Sequence, residues 1–202
     1  MLKPKLIPDQ MGSYKEDDAI FLLRDISDYV FETKTEEREN LIQSGIHYSE
    51  MLPIEYHPPK EYINLFHDTL KKYSERLAVA IGTVAEQIIE RKGMDNLVLV
   101  SLARAGTPIG VLIKRYYAYK YQINVPHYSI SIIRGRGIDE AAIDYIFEQH
   151  SHANIQVIDG WTGKGAITFE LAEACEKYNS THSNYIDPSL AVLADPGHCV
   201  DI

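Results

Sequence analysis

The sequence predicts an α/β protein with a mostly parallel sheet flanked by helices. Two observations carry this. Short β-branched apolar runs alternate with helix-period segments from residue 93 onward. Glycine-bearing loops then follow three of those runs, at 101–107, 134–138 and 159–165. In such sheets, ligands bind beyond the carboxyl ends of the strands, where these loops would all lie.

The elements follow in order. Residues 16–25 and 60–72 read as helices, the second opening after Pro58-Pro59. Leu77, Ile81, Val84, Ala85 and Ile88 recur at helical spacing, so 74–91 reads as a helix with one core-facing stripe, ended by Gly93. Residues 97–100 read as a strand. Thr107-Pro108 reads as the cap and first position of the next helix. Residues 128–133 alternate as a strand, and Asp139 caps a helix bearing Ala142, Ile143, Ile146 and Phe147. Residues 155–158 form a third strand. A helix from about Gly165 carries Ile167, Leu171, Ala174, Cys175 and Tyr178 on one face. Residues 190–193 form a fourth strand. The expected organisation is a helical extension over 1–92 packed on an α/β core over 93–202. A last strand so close to residue 202 suggests that the natural chain continues further.

Composition narrows the function. The chain of 202 residues carries 20 Lys and Arg against 29 Asp and Glu, a net charge of −9, which disfavours general nucleic-acid binding. No apolar run approaches the roughly 18 residues that span a bilayer, so no membrane is expected. Two cysteines do not make a disulfide framework, and a cytoplasmic setting is expected. Residues 96–138 hold six bases (Arg104, Lys114, Arg115, Lys120, Arg134 and Arg136) and no acid, which points to a local anion site. Lys114, Arg115 and Lys120 also fit a solvated helix face.

Three motifs carry chemistry. The strongest is Asp159-Gly160-Trp161-Thr162-Gly163-Lys164-Gly165, running from strand to helix. Its glycines let the backbone approach an anion, and a helix N-terminus favours negative charge. Asp159 suits ribose hydroxyls or a magnesium ion. The second is Ala103-Arg104-Ala105-Gly106-Thr107, with one arginine and a run of backbone N–H groups. The third, Arg134-Gly-Arg136-Gly, has the composition of a mobile lid.

In this order the three motifs resemble those of the type I phosphoribosyltransferases, over about 95–195. A closer resemblance, over most of the chain, is to the phosphoribosyltransferase-like StiP family found with tellurite-resistance and stress genes. It rests on 101–108, 131–139 and 159–166, and on Gln43-Ser-Gly-Ile-His-Tyr-Ser-Glu50. The resemblance implies a Rossmann-like phosphoribosyltransferase core that binds phosphoribosyl pyrophosphate (PRPP) with Mg2+ and transfers a pentosyl group to or from a base. Asp159 would hold the ribose and the metal, 160–165 the 5′-phosphate, and 103–107 the pyrophosphate. Arg134 and Arg136 would close over it. Arg104, Asp159, Arg134 and Arg136 are then the catalytic candidates, and a homodimer is possible. The resemblance also implies a cis bond at Ala103–Arg104. This sequence departs from the wider pattern in placing one acid, not two, before the Thr-Gly turn. A ribose-phosphate-binding domain without catalysis is one alternative.

The other alternative is a cysteine peptidase, since the StiP family has also been labelled a cysteine protease. Cys175 sits on an apolar stripe and reads as a core thiol. Cys199 adjoins His198, yet sequence neighbours seldom form a working dyad, and neither thiol lies in an obvious electropositive turn.

Overall fold

The computed structural model describes residues 8–26, 28–30 and 32–202. The chain divides into two compact units, one of Met1–Leu23 with Leu77–Ile202 and one of Arg24–Arg76.

The larger unit is built on a five-stranded sheet. Its strands are β1 (Ile20–Phe21), β4 (Leu97–Leu102), β5 (His127–Ile130), β8 (Asn154–Ile158) and β9 (Leu190–Ala191), in the order β1-β5-β4-β8-β9. Every pairing in it is parallel. All six residues of β4 are buried, as a central strand covered on both faces requires. Its side chains alternate between two cores. Leu97 and Leu99 meet the stripe Ile81, Val84, Ala85 and Ile88 of helix α2 (Lys60–Lys92), together with Ile113 and Tyr117 of α3 (Gly106–Tyr121). Val98, Val100 and Leu102 meet α4 (Glu140–Gln149) and α5 (Ala166–Thr181) through Ile143, Ile146, Leu171, Cys175 and Tyr178. A two-stranded antiparallel hairpin, β6 (Ile132–Ile133) with β7 (Gly137–Ile138), follows β5.

The smaller unit pairs β2 (Glu32–Thr33) with β3 (Leu52–Pro53) in parallel, around α1 (Thr35–Gln43) and a single 3₁₀ turn at Tyr48–Glu50. His47 caps that turn, its Nδ1 accepting from Ser49 N. Residues Lys60–Arg76 of α2 belong to this unit.

Several expectations need correcting. Residues 16–25 are not a helix: a turn in which Asp18 N donates to Lys15 O leads into strand β1 beside β5. Sheet pairing overrides the local helical preference there. The helices expected at 60–72 and 74–91 are one continuous helix, because nothing in Lys72-Tyr-Ser74 breaks it. Thr107 does not cap α3. The helix begins two residues earlier than expected, at Gly106, and Thr107 is buried with its Oγ1 2.8 Å from Ser129 Oγ. A side chain at 106 would collide with the carbonyl oxygen of Ile158, so glycine allows α3 to start tight against β8. The strand expected at 128–133 divides into β5 and β6. Gly93, at φ +70°, does end α2, and Asp139 Oδ1 does cap α4 by accepting from Ala142 N at 3.1 Å.

Candidate functional site

The loops at the carboxyl ends of β4, β8 and β9 converge, as the sheet rule anticipates. The first and second motifs touch: a side chain at Gly160 would lie 3.1 Å from the carbonyl oxygen of Ala105. The Ala103–Arg104 bond is cis, as expected. Thr162 is buried, whereas Lys164 and Arg104 are exposed. Asp159 Oδ1 accepts from Gly160 N at 2.7 Å; burial raises the carboxyl's affinity for its proton, and that N–H opposes the rise.

The loop after β8 is laced to the chain after β9. Asp159 N donates to Ala191 O at 3.0 Å, Leu193 N to Gly160 O at 3.2 Å, and Thr162 N to Ala194 O at 3.0 Å. Pairing therefore continues past the named strands and carries Asp195-Pro-Gly-His-Cys199 alongside the start of α5. Asp195 Oδ2 then accepts from both Cys199 N (2.6 Å) and Val200 N (2.9 Å), which fixes the turn. The Cys199 Sγ lies 3.2 Å from the point where a side chain on Gly165 would begin. Gly165, at φ +75°, is the residue that opens α5. Cys199 thus rests against a helix N-terminus, where unsatisfied N–H groups favour negative charge. The signal was the glycine cluster 163, 165 and 197, which matters only once β8 and β9 are known to be neighbours.

Cys175 is the opposite case. It is fully buried in the core between sheet and α5, and burial pushes its thiol up to about 12. The core-thiol reading is correct. Both cysteines are free thiols.

The third motif is not the unanchored loop its composition suggests. Glu170 on α5 accepts from Gly135 N at 2.8 Å and from Gly137 N at 3.0 Å, so one carboxylate grips both backbone amides of the hairpin. Ile138 is buried behind it. Arg134 and Arg136 are exposed on this turn, each with partners of its own.

The fold and this cluster define an α/β protein that presents a thiol at the carboxyl ends of parallel strands, against the first turn of a helix. The chain belongs to the family described as "Tellurite-like stress resistance cysteine protease StiP", which matches residues 12–202. It is 40% identical over 190 residues to the "Cysteine protease StiP" of Acinetobacter baylyi. That match covers 93% of this chain and 48% of the relative, so the chain spans about half the relative's length. The StiP resemblance in the motifs is therefore correct.

The PRPP reading is overturned. Family and relative are both named for a cysteine protease, and neither name points to PRPP, pentosyl transfer or a phosphoribosyltransferase. Arg104, Asp159, Arg134 and Arg136 are assigned as a site through that reading. No group of three or more His, Cys, Asp or Glu set to hold a metal ion occurs among the described residues. No helix among them is long and apolar enough to cross a membrane.

Proposed function

We propose that this chain provides the thiol centre of a stress-associated cysteine peptidase, with Cys199 as nucleophile. The observation that carries this is the placement of Sγ against Gly165, the N-cap of α5, in a turn tied down by Asp195. The family and relative named above, both called cysteine proteases, support it. Of the two cysteines, Cys175 is unsuited: it is inaccessible, and its proton is held too tightly at neutral pH.

In the reaction, Sγ forms a bond to the carbonyl carbon of a peptide. The C–N bond breaks, and the thiol proton ends on the departing amine. Water then cleaves the thioester, releasing the acid and restoring the thiol. The N–H groups opening α5 would stabilise negative charge first on sulfur and then on the carbonyl oxygen. His198, exposed beside Cys199 at φ +53°, is the nearest imidazole in sequence.

Hydrolysis of quenched-fluorescence peptides by the purified chain tests this. Cys199→Ala should lose at least about 100-fold in kcat/KM, and Cys175→Ala should keep its activity. Undiminished hydrolysis in Cys199→Ala would remove Cys199 from the mechanism.

A further inference from the structure

Two large aromatic side chains stand exposed on the elements that hold Cys199, and thiol peptide cleavage by itself gives neither a task. Trp161, the single tryptophan of the chain, is 61% exposed, and Phe169 is 76% exposed. Both belong to the elements that hold the thiol. Trp161 is bridged through its backbone to Ala194 and lies in the loop after β8. Phe169 is on the first turn of α5, its amide donating to Gly165 O at 2.9 Å.

The glycines record how close these groups lie. A side chain on Gly163 would begin 3.0 Å from Trp161 Cζ3, so the indole lies over that glycine. A side chain on Gly165 would begin 3.3 Å from Phe169 Cε2 and 3.2 Å from Cys199 Sγ, so ring and thiol flank one point. The loop thus lacks side chains both beneath the indole, at Gly163, and where Phe169 meets the sulfur, at Gly165. The rings keep their edges in water at an energetic cost, which contiguous exposed apolar surface incurs when it serves binding.

We propose that Trp161 and Phe169 set substrate specificity: they take the large apolar side chain of the peptide residue whose carbonyl Cys199 attacks. This rests on the assignment of Cys199 as nucleophile. The substrate class is then a peptide cleaved after an aromatic or large aliphatic residue. Neither ring touches the reacting bond; both position it.

Active-site alkylation separates the two assignments. The probes are acetyl-phenylalanyl chloromethyl ketone, its glycyl counterpart and iodoacetamide; in each the thiolate displaces the halide and forms a C–S bond. Mass spectrometry follows the rate at Cys199. The phenylalanyl reagent should react about tenfold or more faster than the glycyl one, the gain expected from burying a benzyl group. Trp161→Ala and Phe169→Ala should each lower the ratio of phenylalanyl to iodoacetamide rates several-fold. Both positions are surface-exposed, and circular dichroism confirms that each variant is folded. Rapid alkylation with no preference between phenylalanyl and glycyl reagents overturns the specificity assignment and leaves the nucleophile in place. Resistance of native Cys199 to all three reagents overturns both.

Discussion

Nucleophile-type side chains occur in two regions of this molecule, and only one region can use them. Inside the packed layers sit Ser101, His127 and Cys175, each no more than 2% exposed. His127 Nδ1 donates to the Asp18 carbonyl at 2.8 Å, which leaves Nε2, 2.8 Å from Ser101 Oγ, to accept. A serine bonded to an oriented histidine has the bonding pattern of a catalytic pair. Here it is closed off, because Gly110 of α3 lies directly against both groups. Outside the layers, at the carboxyl ends of β8 and β9, Cys199 is half-buried among glycines. The difference teaches that access, rather than residue type, separates a closed-off structural group from one that a reagent can reach.

Filling the closed region should produce the largest effect. Gly110→Ala would drive a methyl group into His127 Nε2 and Ser101 Oγ, breaking a buried hydrogen bond as well as overpacking. The expected loss is about 4 kcal/mol, or roughly 8–16 °C in Tm by thermal melting. A Tm within about 2 °C of the parent would mean that the Ser101–His127 pocket is looser than its geometry indicates.

Acid should open the same region. Burial lowers the His127 pKa to about 4, with the nearby Lys114 charge adding to the shift and the Asp18 carbonyl opposing it. The folded value lies below the unfolded one of roughly 6.5. The unfolded chain therefore binds the proton more readily, and stability falls as pH drops from about 6.5 to 4. The full contribution is about 3 kcal/mol. Denaturant titrations across that window should show a slope that His127→Gln flattens; an unchanged slope would place the titrating group elsewhere.

A paired substitution sharpens the contrast between the thiols. Cys175→Ser buries a hydroxyl in an apolar stripe and should cost about 2 kcal/mol. Cys199→Ser, beside solvent, should change stability by less than about 0.5 kcal/mol while losing peptidase activity. Equal losses would erase the distinction. The smallest effect concerns the hairpin. Glu170→Ala removes the carboxylate holding Gly135 N and Gly137 N, and their hydrogen exchange should rise about three- to tenfold with global stability nearly unchanged.

The sequence reveals what is local and periodic. The α/β alternation, the buried stripe through Ile81 and Ile88, the Asp139 cap and the inertness of Cys175 all follow from spacing and residue type. What it conceals is set by strand order. Glu170 lies 35 residues from Gly135, and Cys199 lies 34 residues from Gly165; neither pairing leaves a mark on local composition. The arginine hairpin reads as an unanchored lid until α5 is known to pass beside it. The glycines of 159–165 read as a phosphate cradle, and that Cys199 lies beside Gly165 is seen only once the segment after β9 is placed. Strand β1 is hidden for the same reason, since its two paired residues gain their conformation from β5.

Timed alkylation of the native chain by iodoacetamide at neutral pH, read residue by residue by mass spectrometry, tests the central contrast most directly. The account predicts that Cys199 is modified within minutes and Cys175 only after unfolding, with a difference in rate of at least about 100-fold, since a thiol held at about 12 is almost wholly protonated. Rapid labelling of Cys175 in the folded protein, or equal rates at the two thiols, would contradict it.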